Sequence, residues 1–271
     1  KPYWKAAAIA PLLMILEVAM DLLQPRMMQR IVDEGIRTGN QGLVLETGLL
    51  MVVFALLGAV GGIGCTIYAV RAAINTGTDL RSSAYRKIQA LTFGNLDQLG
   101  TGELVTRLTN DITQVQELIL ISLRILVRVP LLGIGSLIMA FVTSPRLALI
   151  MLPLIPPLAI LLVFIIQQAS PLYTRVQTSL DRVNTVIQEH LAGVRVIKAF
   201  VREEHQQARF GEANTALTEN SIRAMNLTAI TSPAVLLLLN VGIAALLWFG
   251  GNAVQQNDLT VGEIIASITY L

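Results

Sequence analysis

Five runs of apolar residues, each long enough to cross a lipid bilayer, constrain this chain more than anything else in it. They lie at about 6–32, 43–70, 118–143, 146–169 and 226–251. A helix rises 1.5 Å per residue, so about 20 mainly apolar residues span the roughly 30 Å of hydrocarbon. A sixth run starts near Val261 and stops at Leu271, enough for only about 16 Å of helix, and reads as a sixth helix cut short. Turn-forming pairs bound the runs at Gly39-Asn40, Ser144-Pro145, Ser170-Pro171 and Gly250-Gly251-Asn252. The expected fold is therefore an all-α membrane protein.

Composition agrees. Only 14% of the 271 residues are charged while 54% are apolar, against about a quarter charged in soluble domains. That excludes a disordered chain, a nucleic-acid binder with a broad basic face and a water-soluble globule. The one cysteine, Cys65, excludes a disulfide framework and a cysteine-based zinc cluster. The opening Lys1-Pro2-Tyr3-Trp4-Lys5 carries neither an initiator Met nor a signal peptide, and reads as an excised start.

Short loops rich in Lys and Arg stay in the cytoplasm. All but four of the 20 basic residues precede the first run, or lie between runs two and three or four and five or at the flanks of those runs. Arg26, Arg30, Arg37 and Arg146 are the exceptions. The N-terminus is therefore expected inside, with small external links and two long internal segments, 71–117 and 170–225. Both internal segments are periodic. Leu104, Leu108, Ile112, Val115 and Ile119 form one stripe, and Val176, Leu180, Val183, Ile187, Leu191 and Val194 form another. Such steps of three and four build helices in a bundle. The pattern runs into the membrane spans without a linker. Continuous helices reaching roughly 25–35 Å beyond the bilayer are expected rather than inserted soluble domains.

Two motifs sit at the far ends of these segments. The first runs Asp97-Gln98-Leu99-Gly100-Thr101-Gly102-Glu103-Leu104, continuing through Arg107-Leu108 to Asp111. The second runs from Glu189-His190-Leu191-Ala192-Gly193 through Lys198 and Phe200 to Glu203. Together they resemble the two intracellular loops of the transmembrane domain of ATP-binding-cassette (ABC) exporters. The likeness extends over residues 1–271. It includes a break at Leu23-Gln24-Pro25 and an opening that is similar to the family's elbow helix. Arg30-Ile31-Val32-Asp33-Glu34-Gly35 and Leu247-Trp248-Phe249-Gly250-Gly251 resemble most closely the subunits of bacterial heterodimeric multidrug exporters. Where many relatives carry two aromatics and a proline, this chain has Asn95-Leu96 and Gly100, which implies looser docking or an unlike partner.

The resemblance implies a six-helix, type 1 exporter domain in the bacterial cytoplasmic membrane. It would export hydrophobic or amphipathic small molecules of the multidrug kind by alternating access. It implies a second exporter half, most simply non-identical, with a homodimer as the alternative. It also implies nucleotide-binding domains that carry ATP and Mg and lie outside this sequence. Two short coupling helices, at Asn95, Leu96, Asp97, Gln98 and Leu99 and at Ile187, Gln188, Glu189, His190 and Leu191, would touch those domains. A lipid or peptide exporter of the same fold, or a non-transporting regulator, are the alternatives. A channel or ion-coupled transporter would show repeated hydropathy and broken midplane helices, neither of which appears.

Glu17 and Asp21, four apart, share a face near the bilayer middle. Acids there face a cavity or a basic partner. They are either an attraction site for cationic drugs or an ion-pairing set with Arg124 and Arg128, with the ion pair slightly favoured. Asn240, a lone polar group in an apolar run, is more simply an interhelical hydrogen bond than a ligand contact. Gly58 and Gly62 have the small-x-x-x-small spacing that admits a close helix neighbour. Pro153, Pro156 and Pro157 are expected to kink the fourth helix. No G-x-x-x-x-G-K-[ST] loop, nucleophile–base pair or metal triad occurs, so no cofactor, metal or catalytic residue is expected in this segment.

Overall fold

A computed structural model describes residues 2–92, 94, 100–199 and 202–271, and nearly all of them are helical. The segments are α1 (Trp4–Arg30), α2 (Gln41–Gln89), α3 (Thr101–Thr106), α4 (Ile112–Thr143), α5 (Pro145–Met151), α6 (Ile155–Ala199), α7 (Glu203–Ala229), α8 (Thr231–Gln255) and α9 (Val261–Tyr270). A π-turn at Ile31–Ile36 closes α1, another at Arg107–Asp111 joins α3 to α4, and a 3₁₀ turn at Leu152–Leu154 joins α5 to α6. They make six helices of a multi-pass membrane protein. Among the described residues, five stretches are long and apolar enough to cross: Trp4–Ile36, Gln41–Gln89, Gly102–Thr143, Pro145–Arg195 and Glu203–Gln255. Val261–Tyr270 is a shorter apolar helix.

Two of the expected turns are observed. Gly39 adopts φ 71°, a left-handed conformation that costs glycine little, and the Asn40 side chain then caps α2 by accepting from the Leu43 N–H at 3.1 Å. Ser144 is extended, and Pro145 opens α5, where its missing N–H costs nothing. The other two turns are not. Ser170-Pro171 lies inside α6 and Gly250-Gly251 inside α8. α8 ends instead at Gln255, and in the turn just beyond it Asn257 has φ 58° and the Asp258 N–H bonds back to the Ala253 carbonyl. The break expected at Leu23-Gln24-Pro25 is also absent, since α1 runs through Pro25. Among the described residues the opening Pro2-Tyr3-Trp4 forms no separate elbow helix, because Trp4 already belongs to α1. In lipid an unsatisfied peptide group has no water to turn to, so a helix continues through Pro and Gly wherever it can. The prolines of the fourth membrane helix produce the 3₁₀ turn at Leu152–Leu154.

The chain divides into two compact units, residues 1–149 with 246–271, and residues 150–245. In the first, Ala10, Met14 and Val18 of α1 pack on Cys65 and Ala69 of α2, with Leu120, Leu123 and Val127 of α4 closing the core. The face of α2 is small for a reason. A Cβ on Gly61 would lie 2.9 Å from the Leu13 carbonyl oxygen, so the backbones of α1 and α2 meet only because glycine stands there. α9 is pinned to the end of α1. Asp33 accepts from the Thr260 hydroxyl at 2.6 Å and from the Gly262 N–H at 2.9 Å, and Thr260 with Glu263 completes a capping box. Farther along α9, the Tyr270 hydroxyl donates to the Leu22 carbonyl at 2.8 Å.

The second unit holds the hairpin of α6 and α7. Val183 and Val186 pack on Ala213, flanked by Leu217, while Asn220 donates to the Ser179 hydroxyl at 2.8 Å. The expected stripe is thus met in part: Val183 is buried and Val176 and Val194 are half-buried, while Leu180, Ile187 and Leu191 are exposed.

Candidate functional site

Several polar groups of the first unit gather at a cavity of about 530 Å³ between α1, α2 and α4. Glu17 is held there by the glycine face of α2, where a Cβ on Gly62 would collide with its carboxylate. Arg128 of α4 donates to Glu17 at 2.8 Å and to Asp21, one turn along α1, at 3.4 Å. The Glu17 side chain is 14% exposed and that of Arg128 is 43% exposed. An acid so nearly enclosed needs this partner, because an unpaired charge in apolar surroundings costs several kcal/mol. Arg124, one turn before Arg128, lines the same cavity. Thr66 adds a hydroxyl whose proton goes to the Gly62 carbonyl at 2.9 Å. The remaining walls are apolar, among them Met14, Ile63, Ile67, Ile121 and Ile125.

The structure therefore brings together four of the five residues singled out within the membrane spans. Asn240 lies in the other unit, and its side-chain amide donates to the Leu236 carbonyl of its own helix at 2.9 Å instead of bridging to a neighbour.

Sequence patterns left a second polar network unread. Gln116, only 7% exposed, sits opposite Gly77, where any Cβ would overlap its amide. It donates to the Ile74 carbonyl at 3.3 Å and accepts from Arg81 at 3.1 Å. Arg81 also donates to Thr113 at 3.0 Å and to the Leu108 carbonyl, inside the π-turn, at 3.3 Å. A π-turn disturbs the regular ladder of helical bonds, which frees a carbonyl for such an outside donor. The signal available in the sequence was Gly77 itself, a small residue facing a long amide across two polar helix extensions.

Residues 8–271 match the family model of the ABC transporter transmembrane region. The chain belongs to that family. The ABC transporter ATP-binding protein YfiB of Bacillus subtilis is 34% identical over 270 residues, covering 100% of this chain and 47% of the relative. The ABC transporter ATP-binding protein Rv1273c of Mycobacterium tuberculosis is 32% identical over 270 residues, covering 100% of this chain and 46% of the relative. An ATP-dependent lipid A-core flippase of Chromohalobacter salexigens is 27% identical over 269 residues, covering 99% of this chain and 46% of the relative. The chain thus spans about half the length of the curated relatives it matches, and it has the helical architecture of a type 1 ABC exporter transmembrane domain.

Of the two coupling segments expected for an ABC exporter, Asn95–Leu99 lies outside the described residues. The other, Ile187–Leu191, forms no short helix of its own. It belongs to the uninterrupted α6, about two turns before its end at Ala199. Nothing on this stretch breaks a helix, and Ala192 favours one, so α6 runs on. Its surface is still mixed. Glu189 pairs with Arg209 of α7 at 2.8 Å. Ile187, His190 and Leu191, with Phe210, border a small groove of about 320 Å³, and Leu191 is 66% exposed.

Proposed function

We propose that this domain is the membrane-spanning half of an ATP-driven exporter that moves hydrophobic or amphipathic small molecules out of the cell by alternating access. The observation that carries the reading is the length of the helices. α2 has 49 residues without a break, about 73 Å of rod, which is more than twice the hydrocarbon thickness. A rod that leaves the bilayer intact moves as a lever, so a force at its polar end is delivered to the cavity beside Glu17 and Arg128. Family membership supplies the source of that force. Nucleotide-binding domains binding ATP and Mg²⁺ would bear on Asn95–Leu99 and on Ile187–Leu191, where an apolar groove and an ion pair offer a docking face. Closure of the nucleotide-binding pair would favour one cavity state and hydrolysis the other.

In this reading the N-terminus and the polar extensions lie in the bacterial cytoplasm, as the distribution of basic residues requires. A second half, most simply a non-identical subunit, completes the cavity. The lipid A-core flippase relatives favour a second reading within the same fold, an exporter of lipids.

The test is transport by the full-length protein in sealed vesicles. ATP should drive accumulation of fluorescent amphiphiles, and vanadate should stop it. Hydrolysis with no accumulation of any amphiphile would point to a non-transporting regulator.

A further inference from the structure

The charges in the cavity are unequally engaged. Arg128 is committed to both carboxylates, at 2.8 Å and 3.4 Å. Arg124 lines the same cavity, yet among the described residues no carboxylate stands within 4.0 Å of it and none of its N–H groups has an acceptor. The lining itself holds one acid and two arginines; Asp21, which bonds Arg128 from outside the lining, brings the sum to zero, so the region as a whole attracts neither sign from a distance. Local hydrogen-bonding capacity then decides. A cation would have to win Glu17, 14% exposed, away from Arg128, and so would leave that arginine with only the longer contact to Asp21. An anion displaces nothing, because Arg124 offers a guanidinium fork that matches carboxylate, sulfonate or phosphate oxygens.

The geometry points to Arg124 as the ligand for the anionic headgroup of an amphiphile, with the apolar body along Ile63, Ile67, Ile121 and Ile125. The sign is opposite to the cationic cargo that Glu17 and Asp21 suggest when read alone. A volume of about 530 Å³ is of the size that holds a headgroup and the beginning of a tail. The inference rests on the exporter reading and names its cargo class.

The experiment uses the full-length transporter in vesicles with Mg-ATP. Its probes are a tail-labelled phosphatidic acid, the same tail on phosphatidylcholine, carboxyfluorescein and ethidium. Wild-type protein should bind and move phosphatidic acid at least about fivefold better than phosphatidylcholine. Arg124→Gln should weaken that binding about tenfold, the size of one lost charged hydrogen bond, and Arg124→Lys should stay within about threefold of wild type. If carboxyfluorescein shows this dependence and the lipid does not, Arg124 is confirmed as an anion ligand whose source is a soluble organic anion. Equal wild-type affinity for all probes overturns the assignment whether or not the glutamine variant folds. So does unaltered anion binding in Arg124→Gln, or ethidium binding that strengthens in it. In those cases amphiphile export stands. Absence of ATP-driven movement of every probe by wild type removes the exporter reading itself.

Discussion

Two helix pairs in this molecule solve the same packing problem by opposite means. Between α1 and α2 the contact is made by Gly58, Gly61, Cys65 and Ala69, and the backbones nearly touch. Between α6 and α7 it is made by Val183 and Val186 of α6 against Ala213 and Leu217 of α7, with exposed ion pairs at the rim. Lipid is as apolar as any side chain, so no hydrophobic drive holds α1 to α2 and van der Waals contact at short range must do so. The polar α7 cannot sit in hydrocarbon, and beside water an apolar stripe is itself the driving force. Large side chains glue helices in one medium and small ones in the other.

That contrast can be broken most severely at Gly61. Gly61→Ile places four added carbons against the Leu13 carbonyl and should cost about 3 kcal/mol or more, seen as a large drop in thermal melting temperature in detergent. Next comes the charge embedded in the same interface. Arg128→Gln strands Glu17 and should cost about 2 kcal/mol. Adding Glu17→Gln should recover most of it, which a double-mutant cycle in melting experiments would register. If the single and double variants melt alike, the ion pair does not hold α4 to α1.

In the α6–α7 hairpin, Val186→Ala should cost about 1 kcal/mol through lost burial and a residual cavity. Gly-like packing would predict the reverse, a gain on shrinking the side chain, so limited proteolysis of the hairpin separates the two rules. The smallest effect belongs to the rim. Glu189→Gln, whose partner Arg209 is about half exposed, should alter hairpin stability by less than about 0.5 kcal/mol. A larger loss would mean that the hairpin depends on charge and not on its valines.

The five spans and the family were legible in the sequence because apolar run length and long motifs survive any detail of packing. Helix ends were legible only where a conformation was forced, as at Gly39 and Ser144. Gly250 looked like an end but is a contact point, since a Cβ there would lie 2.9 Å from Ile264 of α9. The stripe on α6 held at Val183 but not at Ile187, because that helix has apolar residues on adjoining faces. Steps of three and four fit both faces, and only the position of Ala213 selects Val186 over Ile187. In the cavity, Glu17 and Asp21 were visible as costly acids. That Arg128 takes both and leaves Arg124 over is a matter of helix rotation, which the spacing of two arginines four apart does not contain.

Asp33 carries a mechanical consequence. With its two bonds it rivets the start of α9 to the end of α1, so relative tilt of these helices pivots there. At 1.5 Å per residue the 27 residues of α1 form an arm of about 40 Å. A swing of about 5° at the rivet therefore carries the Trp4 end through roughly 3.5 Å, about the thickness of an aliphatic chain, while the capped end barely stirs.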